Sequence, residues 1–177
     1  MAINGGSSSI KFALHQARTP LKPSLSGKID RIGASGTTLS WEATEGGLKK
    51  GSVGVAAHET SVRLLIDWLG AREEFASVRA VGHRVVHGMA RTEPERVTSE
   101  VIDELDRITA YAPDHLPREI ELIRGFRARH PELPQVACLV SFSRPELRFD
   151  FCEEAPFQLP RPASLIASRC EAVKKLA

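Results

Sequence analysis

Apolar residues recur at every second position in the first part of the chain, which is the period of strands that bury one face. Residues 10–15 show this alternation, and residues 28–32 and 37–41 repeat it on either side of a Gly-Ala-Ser-Gly turn. A shorter strand, residues 1–3, comes before them, and glycines in residues 46–51 indicate another loop. The pattern predicts an antiparallel meander.

Farther along, apolar residues recur at intervals of three and four, as on the buried face of a helix. This spacing predicts a helix over residues 62–69 and a second over residues 101–108, which Thr98 or Ser99 would cap. A third helix, residues 117–131, begins and ends at prolines.

Two apolar segments flank the later helices and predict buried strands over residues 80–86 and 136–140. Four closely spaced prolines follow and prevent any long regular element. Residues 163–176 carry the spacing of one last helix. We therefore expect a single α/β domain over residues 1–140 and a divergent segment over residues 141–177.

Composition narrows the class of function. The chain has 177 residues, enough for one domain with a proper core, and its formal net charge of +2 is too small to indicate nucleic acid or an anionic membrane. No apolar run approaches the ~20 residues that cross a bilayer, and the first residues lack a signal-peptide pattern. Three cysteines without metal-ligand spacing are typical of reduced thiols, so we expect a cytoplasmic protein.

The turn at residues 4–9, Asn-Gly-Gly-Ser-Ser-Ser, is the first candidate for chemistry. Its glycines let the backbone approach a ligand, and its hydroxyls and amides can donate to phosphate oxygens. Lys11 adds a point charge, but it lies in a strand and not at the start of a helix, so this is not a Walker loop. An ordinary hairpin turn and a solvated strand lysine remain the alternatives.

The segment Gly-His-Arg-Val-Val-His-Gly, residues 82–88, is the second candidate. It places Arg84 among β-branched residues at the end of a buried strand, where a guanidinium can hold a carboxylate by two parallel hydrogen bonds. The alternative is an interior arginine paired with a structural carboxylate. His83 and His87 have a metal-ligand spacing only if they lie on a helix, so we favour structural histidines here.

Together these two segments resemble the acetate kinase family of short-chain carboxylate kinases, whose patterns are N-[AGS]-G-S-S-S-[LI]-K and G-H-R-V-V-H-G-G. A third match, Ala-Pro-Asp-His at residues 112–115, is similar to the family's A-P-L-H. The resemblance covers roughly residues 3–138. It implies a ribonuclease-H-like α/β fold of the actin and sugar-kinase type, a mixed sheet flanked by helices. The family has two such domains with the active site between them, and this chain would be the first.

The resemblance also implies phosphoryl transfer between ATP and acetate, or propionate, with Mg²⁺ or Mn²⁺ as the metal. On the phosphate side, Asn4 matches the family's metal-site asparagine and Lys11 the lysine near the nucleotide. Ser7 and Ser9 match hydroxyls near the phosphates.

On the carboxylate side, Arg84 matches the arginine that holds the substrate carboxylate, and Val86 matches a residue of the methyl pocket. His115 matches the catalytic histidine that steadies the transferring phosphoryl group; its alternative role is to cap the helix that follows. These roles suit phosphoryl transfer, in which the protein mainly positions groups and neutralises charge.

Several residues depart from the family pattern. Val140 stands where the family has a catalytic aspartate, and valine can bind neither a metal nor a proton. Asp114 replaces the apolar pocket residue before His115, and Met89 replaces the second glycine after His87. We expect the family's second domain, which carries the adenosine-binding loops and the contacts of the family's homodimer, to be missing.

The sequence therefore supports two hypotheses. The first is an acetate kinase by family that is truncated and inactive alone. The alternative is a non-catalytic module that keeps weak anion binding or pairs with an intact kinase. In either case we expect residues 4–9 to form a turn between two strands, with Arg84 and His115 facing the same open surface.

Overall fold

A computed structural model describes residues 1–15, 23–43, 46–54, 58–88 and 93–139. These residues form one eight-stranded mixed sheet with helices packed against it. The predicted last helix, the segment 141–177, Met89 and Val140 all lie outside the described residues.

The first half of the sheet is antiparallel, and its strands lie side by side in chain order. They are β1 (Ala2–Gly5), β2 (Ser9–His15), β3 (Pro23–Asp30), β4 (Thr37–Ala43) and β5 (Leu48–Gly54). The predicted meander is therefore confirmed.

Two details of the predicted meander are wrong. β3 begins at Pro23, not at residue 28, and β5 occupies the stretch that we expected to be a loop. β5 is an edge strand whose Leu48, Lys49 and Lys50 are exposed, so it buries no alternate face and shows no apolar period.

The second half of the sheet is mostly parallel. β6 (Val81–Val85) pairs in parallel with β1, and β8 (Gln135–Leu139) pairs in parallel with β6. The two-residue edge strand β7 (Glu95–Arg96) runs antiparallel to β8. The strand order is β5-β4-β3-β2-β1-β6-β8-β7, so β1 is where the pairing changes from antiparallel to parallel.

The helices are α1 (His58–Gly70), α2 (Glu73–Ala76), α3 (Ser99–Arg107) and α4 (Leu116–Arg129), with a 3-10 turn at Thr109–Tyr111. The three long ones confirm the prediction, and α3 is capped by Thr98, whose side-chain oxygen accepts from Val101 N at 3.3 Å. α2 and the 3-10 turn are too short to show a helical spacing of apolar residues. Across the described ranges, no helix is long and apolar enough to cross a membrane.

The core lies between one face of the sheet and the helices α1 and α4. Ile3 and Phe12 pack there with Leu122 and Phe126 of α4. Gly5 lies directly beneath α4, where an added Cβ would come within 2.6 Å of Leu122 Cδ1. Glycine at the end of β1 therefore lets the start of α4 approach the sheet closely.

An aromatic cluster joins β4 to α1. The rings of Trp41 and Trp68 meet edge to face with centroids 5.2 Å apart. The Arg72 guanidinium lies 4.2 Å from the centroid of Trp68 and 5.4 Å from that of Trp41. This cation–π contact connects the chain after α1 to the meander.

Replacing Gly27 with Ala should strongly destabilise the fold. An added Cβ would clash with the Ser40 carbonyl oxygen on the neighbouring strand and lie 2.7 Å from Phe12 Cζ. Because a backbone atom in a sheet cannot move aside cheaply, we expect a loss of about 2 kcal/mol or more in the free energy of unfolding. Urea denaturation measures this loss.

Gly46→Ala is the matched control, because an added Cβ there meets open space. It should change the free energy of unfolding by no more than about 0.5 kcal/mol. Equal effects of the two substitutions would contradict the close β3–β4 packing at Gly27.

Candidate functional site

The predicted turn between two strands is present but shorter than residues 4–9, because Asn4 and Gly5 belong to β1 and Ser9 to β2. Backbone hydrogen bonds close it. Gly6 N donates to Ser9 O at 2.8 Å, and Ile32 N donates to Ser8 O at 2.9 Å. Ser7 is exposed at the tip, and Ser9 begins β2. The turn therefore presents a hydroxyl to solvent while its ends are held by the sheet.

Strand register aligns the polar candidates on one face of the sheet. Asn4 lies directly opposite Lys11, so their side chains share the face that points away from α4. Ile3 lies beside His83 in the parallel pairing, which puts Asn4 beside Arg84 one residue later. Arg84 Nη1 donates to Asn4 Oδ1 at 3.3 Å. The structure thus brings Asn4 and Arg84 together, with Lys11 on the adjacent strand.

Glu119 is a site residue that sequence reasoning missed. Its side chain is only 1% exposed, and its Oε2 accepts from Val86 N at 3.0 Å. Burial raises the pKa of this carboxyl to about 7, although the hydrogen bond from Val86 and the charge of Arg84 act in the opposite direction. A buried acid therefore contacts the backbone two residues after the arginine that we expected to bind a carboxylate, and the charge of that arginine acts on it.

A signal for Glu119 was present in the helical spacing. Leu116, Ile120 and Ile123 form the buried stripe of α4, and Glu119 falls within that stripe, three residues after Leu116. A charged residue at an apolar position of a helix is rarely buried without a partner. The motif comparison did not reveal it, because Glu119 lies outside the matched segments.

His115 occupies the N-cap position of α4. Its side chain is exposed and, within the described residues, makes no capping hydrogen bond, so the capping alternative finds no support. Its backbone carbonyl accepts from Glu119 N at 3.2 Å, which places His115 one turn before Glu119.

The candidates gather at one edge of the sheet. β1, β6 and β8 run parallel, so their carboxyl ends share an edge, and α4 begins there. Ligands of open α/β sheets usually bind at such an edge. Arg84 reaches it from the sheet face opposite α4, and His115 reaches it from the helix layer. That the two side chains meet on one open surface stays a prediction.

His83 has a structural role, and the interpretation favoured from the sequence is supported. It is 2% exposed, and its ring meets Phe126 edge to face with centroids 5.8 Å apart. Burial lowers its pKa to about 4, so the imidazole is neutral and its Nε2 accepts from the Gln135 amide at 2.7 Å. In that orientation the Gln135 side chain also bonds the α4 backbone at Ile123 O and Arg127 N.

The polar residues do not form a complete Mg²⁺ site by themselves. Mg²⁺ is usually held by carboxylates, phosphates and water in octahedral geometry. Asn4 offers one neutral oxygen, which already accepts from the Arg84 guanidinium. In the part of the chain that the structure describes, no group of three or more His, Cys, Asp or Glu side chains could hold a metal.

Comparison with known proteins gives consistent matches. The sequence matches the Acetokinase family over residues 1–144. Acetate kinase of Oceanobacillus iheyensis is 36% identical over 142 residues, which cover 77% of this chain and 35% of that protein. Propionate kinase of Citrobacter rodentium is 38% identical over 141 residues, covering 77% of this chain and 34% of that protein. The chain thus spans about a third of the length of these relatives.

Solved structures agree on the fold. A propionate kinase from Francisella tularensis superposes with a TM-score of 0.70 at 29% identity, covering 78% of this chain and 35% of that one. An acetate kinase from Porphyromonas gingivalis superposes with a TM-score of 0.68 at 24% identity, and the match covers 78% of this chain and 36% of that one. The expected fold class, a mixed α/β sheet of the actin and sugar-kinase type, is confirmed.

Replacing His83 with Gln should change how stability depends on pH. The pKa of His83 is about 4 in the folded state, whereas an unfolded chain titrates near 6.5. Below pH 6.5 the unfolded state therefore binds a proton that the folded state does not. The wild-type free energy of unfolding should fall between pH 6.5 and 4, by up to about 3 kcal/mol from this group.

Glutamine in place of His83 removes that titration. The destabilisation of His83→Gln relative to wild type should be largest above pH 7 and should shrink toward pH 4, as measured by urea unfolding at each pH. A difference that stays constant over this range would contradict a buried neutral imidazole.

Proposed function

Because the chain belongs to the acetokinase family, we propose that its described residues form the carboxylate-binding side of an enzyme that transfers a phosphoryl group between ATP and acetate or propionate. The observation that carries this proposal is the placement of Arg84. Its guanidinium donates to Asn4 at the carboxyl ends of the parallel strands, where ligands of such sheets bind.

The hydrogen bonds of Arg84 support a role in carboxylate binding. Its Nε atom is buried and, among the described residues, has no hydrogen-bond partner. A buried donor without a partner is costly and calls for an explanation. A substrate carboxylate would supply the missing acceptor, and a guanidinium can bind it through two parallel hydrogen bonds.

Family membership supports the remaining roles that we propose. Val86, two residues after Arg84, would contact the methyl group of acetate. Ser7 and Ser9 would donate to phosphate oxygens, and Lys11 would neutralise charge on the nucleotide side. His115 would act as the catalytic residue that donates to the phosphoryl group in transfer. Each of these actions is positioning or charge neutralisation, which is what phosphoryl transfer requires of a protein.

A divalent cation, Mg²⁺ or Mn²⁺, would neutralise the charge of the nucleotide phosphates, and Asn4 is the residue that we assign to its neighbourhood. Because one amide oxygen does not make a site, the phosphates and further residues would supply the other ligands. We also infer a cytoplasmic location, because three cysteines without metal-ligand spacing are typical of reduced thiols.

A non-catalytic module is the second candidate function. It is favoured by Val140, which stands where the family has an aspartate and offers no carboxylate. Such a module would keep weak anion binding at Arg84 or pair with an intact kinase.

Substitution of Arg84 tests the carboxylate site. Acetate should shift the backbone amide resonance of Val86 and the side-chain amide of Asn4 in NMR titrations at constant ionic strength, with chloride as the reference anion. Arg84→Lys should weaken acetate binding at least about tenfold, or 1.4 kcal/mol, because lysine cannot form the paired hydrogen bonds.

Arg63→Ala is the control, because Arg63 is exposed on α1, an element that carries none of the candidate site residues, and its removal also takes away one positive charge. Acetate affinity should be unchanged in this variant. Equal affinities for the wild type and Arg84→Lys would contradict the assignment of Arg84.

The 177-residue chain alone should form no acetyl phosphate above a blank reaction with ATP, acetate and Mg²⁺. The physical reason is that Val140 provides no group to hold a metal or a proton at the aspartate position. Trapping the product as acetyl hydroxamate measures the rate. Turnover that is lost in Arg84→Ala but kept in Arg63→Ala would contradict this expectation and would exclude the non-catalytic alternative.

A further inference from the structure

Glu119 is a buried acid that uses only one of its two oxygens. Oε2 accepts from Val86 N at 3.0 Å, and Oε1 is buried without a hydrogen-bond partner in the described ranges. The Nε atom of Arg84 is likewise buried and unpartnered there. The Glu119 carboxyl and the Arg84 guanidinium thus each keep one buried hydrogen-bonding atom without a partner in the described ranges.

Arg84 is the charged side chain that acts on the Glu119 carboxyl. Arg84 lies on β6, and the neighbouring β1 presents uncharged Asn4. On α4, His115 lies one turn earlier. Asp106 of α3 forms an ion pair with Arg124, and Arg124 lies more than one turn after Glu119 on α4.

We propose that Glu119 is a positioning residue of the carboxylate site, which fixes the Val86 amide and lies within the electrostatic influence of the guanidinium that the substrate carboxylate would bind. The positive charge of one guanidinium then stabilises both anions. This inference rests on the proposed role of Arg84 as the carboxylate-binding residue. It assigns Glu119 no contact with the transferring phosphoryl group.

Protonation of Glu119 removes the repulsion between its carboxylate and the bound acetate. When acetate binds Arg84, its negative charge lies close to Glu119 and reduces the stabilisation that Arg84 gives to the Glu119 carboxylate. The neutral acid then becomes more favourable, so substrate binding takes up a proton at Glu119. The buried carboxyl already has a raised pKa of about 7, so this proton exchange falls near neutral pH. By linkage, acetate should bind more weakly as the pH rises.

NMR of the full chain with ¹³C-labelled glutamate carboxyls tests the inference directly. The titration midpoint of Glu119 is followed from pH 5 to 9 in chloride and in acetate at equal ionic strength. Acetate should raise this midpoint by about 0.5. Over the same range, acetate affinity should fall by the matching factor of about three.

Glu119→Gln separates this role from simple structural support, because glutamine resembles the protonated acid in shape and charge. Acetate affinity in this variant should equal the wild-type affinity at low pH and should no longer change with pH. Asp103→Asn is the matched control: Asp103 is exposed on α3, and its variant should keep the wild-type pH dependence.

The outcomes separate the two proposals. If acetate binds through Arg84 but the Glu119 midpoint does not move, the role of Glu119 is wrong and the proposed function stands. If the pH dependence persists in Glu119→Gln, the role of Glu119 is also wrong. If acetate does not bind the wild-type chain in either measurement, both the role of Glu119 and the carboxylate site at Arg84 are overturned.

Discussion

The parallel pairing of β1 with β6 is the contact on which the candidate site depends. Gly82 N donates to Met1 O at 2.8 Å, and the register continues with Ile3 beside His83. A shift of one residue would turn Arg84 toward the helices and His83 away from them, since side chains alternate between faces. The register therefore decides at once which residue fills the core and which one meets Asn4.

The close approach of α4 to β1 fixes the position of the site residues that α4 carries. Gly5 ends β1 without a side chain, so the first turns of α4 pack against the strand at Leu122. The Glu119 carboxylate then reaches the Val86 amide just past the end of β6. A short strand and a glycine thus position a buried acid against the backbone just after β6 through packing and one hydrogen bond.

The two buried ionisable groups between α4 and the sheet, His83 and Glu119, act on stability in opposite directions. His83 has a lowered pKa, so its contribution is present above pH 6.5 and is lost as the pH falls toward 4. Glu119 has a raised pKa, so its contribution is present below pH 4.5 and is lost as the pH rises through about 7. Their effects offset each other between these limits, which flattens the dependence of folding on pH in mildly acidic solution.

Sequence patterns could predict the parts of the fold that bury a regular face. β2 and the three long helices show clear periods, and the motifs locate Asn4 and Arg84 in separate strands. β5 escaped prediction because an exposed edge strand has no apolar alternation. The role of Glu119 could not be predicted, because it depends on a hydrogen bond with Val86, 33 residues away in the sequence. Such a contact exists only once the strand register and the helix position are both fixed.

The aromatic cluster also gives the protein an optical property. Trp41 and Trp68 are the chain's two tryptophans, and their indole rings lie 5.2 Å apart, one on the meander and one on α1. Transition dipoles at this separation couple, so the near-ultraviolet circular dichroism of the folded chain carries a signal of the pair and not of two isolated indoles. That signal reports the docking of α1 onto β4 without any added label, and it comes from elements other than those that carry Arg84 and Glu119.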